Sequence, residues 1–166
     1  MNRKDTTSFL SELLINKKFS GGAKYWASEV SLDYGSSDVK RIDFLQFEPA
    51  NQDGISGIEK GNFICYEVKS CKADFNSGFG KNFIAEKNYL VMPMSTYKEV
   101  INDIPYNVGV LCPVHVSKDT YAEFENPTEL DGITKNWHLE TIKHSHPTTR
   151  KRSMTELLFC MLRSGK

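Results

Sequence analysis

Apolar residues follow two rhythms along this chain. Over residues 8–19, Phe9, Leu10, Leu13 and Leu14 recur at helical spacing, which predicts an amphipathic first helix. Asp5, Thr6 and Thr7 are available caps, and Ser20-Gly21-Gly22 is its stop. Residues 24–35 then alternate, with Trp26, Ser28, Val30 and Leu32 on one side and Tyr25, Ala27, Glu29 and Ser31 on the other, as a strand does. Residues 39–49 and 61–70 are rich in aromatic and β-branched side chains. The turn-rich stretch 50–60 between them predicts an antiparallel hairpin.

Beyond that hairpin the rhythm loosens. Residues 70–83, with Gly78 and Gly80, read as a loop or a short helix. A short apolar strand over 87–93, a helix over 94–104 with Ser95 or Thr96 as N-cap, and a second apolar strand over 107–114 make a βαβ crossover with parallel strands. Residues 117–149 carry many turn formers and weak periodicity, so an irregular excursion is expected, with a small hairpin as its candidate regular element. A basic closing helix over 150–166 presents Met154, Leu157, Leu158, Met161 and Leu162 as an apolar stripe. The expected fold class is α/β, a mixed central sheet flanked by helices in a single domain spanning 1–166.

Composition adds bounds rather than direction. With 166 residues, 39% hydrophobic and 25% charged, the chain can bury one stable core. Lys plus Arg and Asp plus Glu each total 21, so global charge points to neither nucleic acid nor membrane, and any such argument must be local. The N-terminal stretch breaks its apolar run with Ser11, Glu12, Asn16 and Lys17, unlike a signal peptide, and no run approaches the ~18 apolar residues of a membrane span. A cytoplasmic protein is expected. Cys65, Cys71, Cys112 and Cys160 form no C-x-x-C pair and read as reduced, mostly core thiols.

The chemistry concentrates in "YEVK". Glu67 and Lys69 are two positions apart in a strand and so emerge on one face. One reading is a cross-strand salt bridge on a solvated face. The other follows from the hairpin, which can bring Asp43 of "RIDF" alongside Glu67. Two converging carboxylates repel unless a divalent cation lies between them, and the backbone carbonyl of Val68 is a further oxygen donor. Mg²⁺ or Mn²⁺ is the cation expected, and Lys69 would then face a phosphate.

These residues resemble the signature of the PD-(D/E)XK nucleases, an Asp at the end of one strand followed after a variable gap by D/E-x-K on the next. Here the motif reads Asp43 and Glu67-Val68-Lys69, with Ile42 where a proline often stands. The element order is also similar to that family's restriction-endonuclease-like αβββαβ core. The likeness is closest to the MmcB-like DNA-repair branch, through "EVKSCKADF" at 67–75, "NYLVMP" at 88–93 and "VGVLCPV" at 108–114. It runs from about Glu29 to Pro113 and resumes near Arg150, while Cys71 and the stretch 76–83 diverge.

The resemblance implies a metal-dependent DNA nuclease, with Asp43, Glu67 and Lys69 catalytic and Asp43, Glu67 and Val68 holding the metal. Glu29 is a candidate additional catalytic carboxylate, with Glu12 as its rival. Ser70 could hydrogen-bond phosphate, and Asp74 could cap the loop instead. Lys143, Arg150, Lys151 and Arg152 gather beside His144 and His146 and are candidate DNA-phosphate contacts, or else a solvated helix start. DNA is the partner expected, with a repair or phage protein or a second copy of the chain as further candidates. The alternative function is a nuclease fold kept as a docking module.

Overall fold

The segment carrying Glu67 forms a central strand because its side chains are buried on both faces. β3 (Asn62–Val68) is covered continuously from Phe63 onward. The computed structural model describes residues 1–21, 25–51 and 54–164. Among these, β1 (Trp26–Leu32), β2 (Lys40–Glu48), β3, β4 (Lys87–Val91), β5 (Val108–His115) and β6 (Trp137–Lys143) form one six-stranded mixed sheet, ordered as in the chain. β1, β2 and β3 are antiparallel neighbours, β3, β4 and β5 are parallel, and β6 returns antiparallel to β5. The expected hairpin and the expected parallel crossover are both present.

Helices cover the two faces. On one, Phe9, Leu10, Leu13 and Leu14 of α1 (Arg3–Leu14) pack against Ile64, Tyr66 and Val68 of β3. Full burial of each such side chain contributes roughly 1.5–3 kcal/mol. On the other face, Phe63 and Cys65 join a cluster with Leu157, Cys160 and Met161 of α6 (Met154–Ser164). A separate cluster there packs Met94, Tyr97 and Val100 of α4 (Met94–Val100) on Leu90, Val108, Val110 and Cys112. Glu67 lies two and four positions beyond Cys65 and Phe63, so it emerges with them on this second face, where the α6 cluster gives way to the α4 cluster. A polar site can exist there because neither cluster closes over it.

Several sequence expectations are corrected. α1 starts earlier than Asp5, capped by Asn2, whose side chain accepts the Asp5 N–H at 2.9 Å, and it runs on through a π-helical turn, Ile15–Phe19. Its expected stop reaches Gly22, which lies outside the described residues, as do Lys24 of the next strand and the turn residues Gln52 and Asp53. The turn also holds a short helix, α2 (Ile55–Glu59), and the loop after β3 holds α3 (Lys72–Asn76). α4 begins at Met94 after Pro93, with no side-chain cap from Ser95 or Thr96. The excursion after β5 contains α5 (Thr120–Glu125) and then β6, a full edge strand anchored by the buried Trp137.

Two further corrections bear on the site. Strict alternation in β1 fails at Glu29, which adopts φ 53°, so that Ala27, Val30 and Leu32 are buried together. A left-handed residue turns the pleat by one position and lets both halves of the strand serve the same core. The closing helix begins at Met154 rather than Arg150, with the Ser153 hydroxyl accepting the Glu156 N–H at 3.1 Å as N-cap. Leu162, expected in its stripe, is 83% exposed, and Cys160 is buried in the stripe instead. Gly165 and Lys166 lie outside the described residues.

Candidate active site

The β2–β3 ladder ends at Phe44 and Tyr66. One step further, a side chain takes over from the backbone, as the Val68 N–H donates to Oδ2 of Asp43 at 2.8 Å. This bond holds the Asp43 carboxylate at the point where the two strands part, next to Glu67. Glu67 is fully buried, and among the described residues neither of its carboxyl oxygens has a hydrogen-bond partner of good geometry, although the Asn82 N–H and the Asp43 carboxyl lie near it. Lys69 is 3% exposed and donates from Nζ to the backbone carbonyl of Phe79 at 2.6 Å.

The electrostatics follow from this burial. Loss of water around Glu67 and the adjacent Asp43 carboxylate push its carboxyl from the ordinary 4.5 up to about 9, against the opposing pull of Lys69 and the nearby Asn82 N–H. Burial also raises the Asp43 carboxyl, a shift that the Val68 N–H, Lys69 and Arg41 hold back. Both carboxyls are pushed upward, so at neutral pH the pair as a unit retains a proton. An unsatisfied buried polar group costs about 1–3 kcal/mol, so the Glu67 carboxyl is held in this place at a cost to folding. Hard, oxygen-only donors beside a lysine suit Mg²⁺ or Mn²⁺, which take one or two carboxylates and leave room for phosphate. Among the described residues no group of three or more His, Cys, Asp or Glu side chains converges, so Asp43 and Glu67 are the two carboxylates this place offers.

The stretch expected to be a loop or short helix, with Gly78 and Gly80, covers this pair. Gly78 and Gly80 adopt φ 77° and φ 62°, conformations open to glycine and strained for other residues. A Cβ on Gly80 would lie 2.9 Å from both Oε2 of Glu67 and Nζ of Lys69, so only glycine lets the backbone approach so closely. Asn82 ties the far end of the loop to β2 through the Arg41 carbonyl at 2.9 Å, and Lys81 places its ammonium 3.7 Å from the centre of the Phe75 ring. The Gly-Phe-Gly triplet at 78–80 was the available signal. Its distance to Glu67 is a tertiary fact that no local pattern carries.

The other candidates fall in different places. Glu29 lies across from Asp43, between the Ser28–Phe44 and Val30–Ile42 pairs, but its exposed carboxylate pairs with Arg41 at 2.8 Å. Glu12 accepts from the Thr134 hydroxyl at 3.4 Å. The Val68 N–H holds Asp43, a contact separate from the carbonyl that the sequence put forward as an oxygen donor. Ser70 donates from backbone and hydroxyl to Oδ2 of Asp74 at 3.0 and 3.1 Å, and Asp74 also pairs with Arg3 at 2.7 Å, the capping role open to it from sequence.

Of the candidate phosphate contacts, Lys143 donates to the Pro105 carbonyl at 2.7 Å, and Arg150 is held by Glu86. Arg152 bridges Asp33 at 2.7 Å and Glu156 at 3.0 Å. Lys151 is exposed. Of the exposed His144 and His146, the latter stacks on Tyr106, with ring centres 4.3 Å apart. All four cysteines are free thiols, and no helix among the described residues is long and apolar enough to cross a membrane. In comparisons with known proteins, no family model, no curated protein and no solved structure matches this chain.

Proposed function

We propose that this chain is a metal-dependent deoxyribonuclease of the PD-(D/E)XK type, with a restriction-endonuclease-like core, that hydrolyses DNA phosphodiesters in repair or processing. The observation that carries the reading is the fully buried Glu67 carboxyl, with both oxygens unpartnered, beside Asp43 and Lys69. Asp43 and Glu67 would hold Mg²⁺ or Mn²⁺. Such an ion supplies positive charge against phosphate and makes water acidic enough to attack.

The chain's own residues divide the remaining work. Val68 orients Asp43 through its N–H, Glu67 gives up its proton when the site is loaded, and Lys69 supplies the cation that stabilises charge growing on the phosphate oxygens. Gly80 leaves the space that a Cβ would take from Glu67 and Lys69.

The test is cleavage of labelled linear duplex, single-stranded, flap and four-way-junction DNA with Mn²⁺, beside Lys69→Ala and with calorimetric titration of Mn²⁺. Metal-dependent cutting that Lys69→Ala abolishes supports the assignment. Equal cutting by the variant overturns the site, and no Mn²⁺ binding overturns the metal. One observation favours a second reading, a docking module that binds without cutting: Arg150 and Arg152 are already neutralised by Glu86, Asp33 and Glu156. Salt-sensitive DNA binding with no turnover on any substrate would support it.

A further inference from the structure

Phe79 combines a fixed backbone with an exposed ring. Its carbonyl is the acceptor for Lys69, its neighbours are the two left-handed glycines, and Gly80 lies against Glu67, yet its side chain is 82% exposed. Exposing a phenyl ring that fully has no folding benefit. The Lys69 bond on one side and the Asn82–Arg41 bond on the other tie the loop that carries the ring.

The neighbouring charges narrow what this ring would meet. Lys81 lies two residues further on, its ammonium over the Phe75 ring, and the Lys69 ammonium sits on the Phe79 carbonyl, so two cations flank the segment that carries the ring. An aromatic face beside paired cations matches a nucleotide, with base on ring and phosphate on ammonium. Binding a duplex through its backbone needs a broad cationic track against one phosphate charge per ~1.7 Å. Here Arg150 and Arg152 are spent on acidic partners, so stacking must carry a larger share of the recognition.

We infer that Phe79 is a base-stacking residue, which makes the substrate a DNA strand with an unpaired base next to the attacked phosphate: a single strand, a flap or a gap. This rests on the nuclease reading and adds the substrate class. A paired base is already stacked on both sides and offers the ring no free face.

The experiment compares the parent with Phe79→Leu and Phe79→Trp. It measures affinity for a single-stranded and a duplex oligonucleotide in EDTA, and cleavage of both with Mn²⁺. Because the ring is exposed, both variants should melt with the parent. Phe79→Leu should weaken single-strand binding about tenfold and leave duplex binding within about twofold, while Phe79→Trp retains or improves it. If the parent binds with this pattern but cuts nothing, the stacking role stands and the nuclease reading falls. If the parent cuts and Phe79→Leu binds and cuts both substrates like the parent, or loses both equally, the stacking role is overturned and the nuclease reading stands. No binding to either oligonucleotide in EDTA together with no cleavage of either in Mn²⁺ overturns both.

Discussion

Asp43 accepts the Val68 N–H at 2.8 Å where backbone pairing between β2 and β3 has ended, so one carboxylate both closes the ladder and faces Glu67. The two roles separate by substitution. Asp43→Asn keeps an oxygen for Val68 but removes the charge, and it should fold normally while losing cleavage. Asp43→Ala also strands the amide, and should lose about 1–3 kcal/mol in urea denaturation. Equal stability of the two variants would show that the bond to Val68 contributes nothing.

Glu67 gives the metal-free protein a pH signature. Its carboxyl is raised from 4.5 to about 9 by burial and by Asp43. Between those values the unfolded chain has released this proton and the folded chain has kept it. Stability is therefore fully present below about pH 4.5 and falls as pH rises toward 9, by up to about 1.4 kcal/mol per unit from this group. Glu67→Gln should flatten that part of the profile and be more stable than the parent at pH 8 in EDTA. A profile with the same slope in both proteins would exclude Glu67 as its source.

The hairpin and the βαβ unit were legible because local composition dictates them: aromatic and β-branched runs such as Phe63–Val68, separated by turn formers. β6 was missed because His138, Glu140 and Lys143 make it read as polar, and only pairing with β5 makes it a strand. Of the site, sequence spacing brings out Glu67 and Lys69, and the hairpin makes Asp43 their neighbour. The cover by Gly80 and the pairing of Arg152 with Asp33, 119 positions away, depend on how distant loops return and leave no trace in a local pattern.

Gly80→Ala and Gly78→Ala separate backbone strain from crowding. Both residues have positive φ, 62° and 77°, but a Cβ at Gly78 meets nothing within 4 Å, whereas one at Gly80 would lie 2.9 Å from Glu67 and Lys69. Each should lose about 1 kcal/mol or more from its strained backbone. Only Gly80→Ala should also weaken Mn²⁺ binding in calorimetry, because the methyl must push the two charged side chains apart. Matching Mn²⁺ affinities in the two variants would place the cover away from the metal.

The basic stretch before α6 should divide into folding and binding residues. Arg152 links Asp33, in the turn after β1, to Glu156 on α6, and its bond to Asp33 is the main cause of the lowered Asp33 carboxyl. Its side chain is only 27% exposed. Arg152→Ala should lower the melting temperature and leave the salt dependence of DNA binding nearly unchanged. Lys151 is exposed, and if it contacts phosphate, Lys151→Ala should leave melting unchanged and reduce the slope of log affinity against log salt by about one. An unchanged slope in Lys151→Ala together with a reduced slope in Arg152→Ala would mean that Arg152 leaves Asp33 and Glu156 when DNA binds. The ion pairs of the free protein would then be exchanged for phosphate contacts.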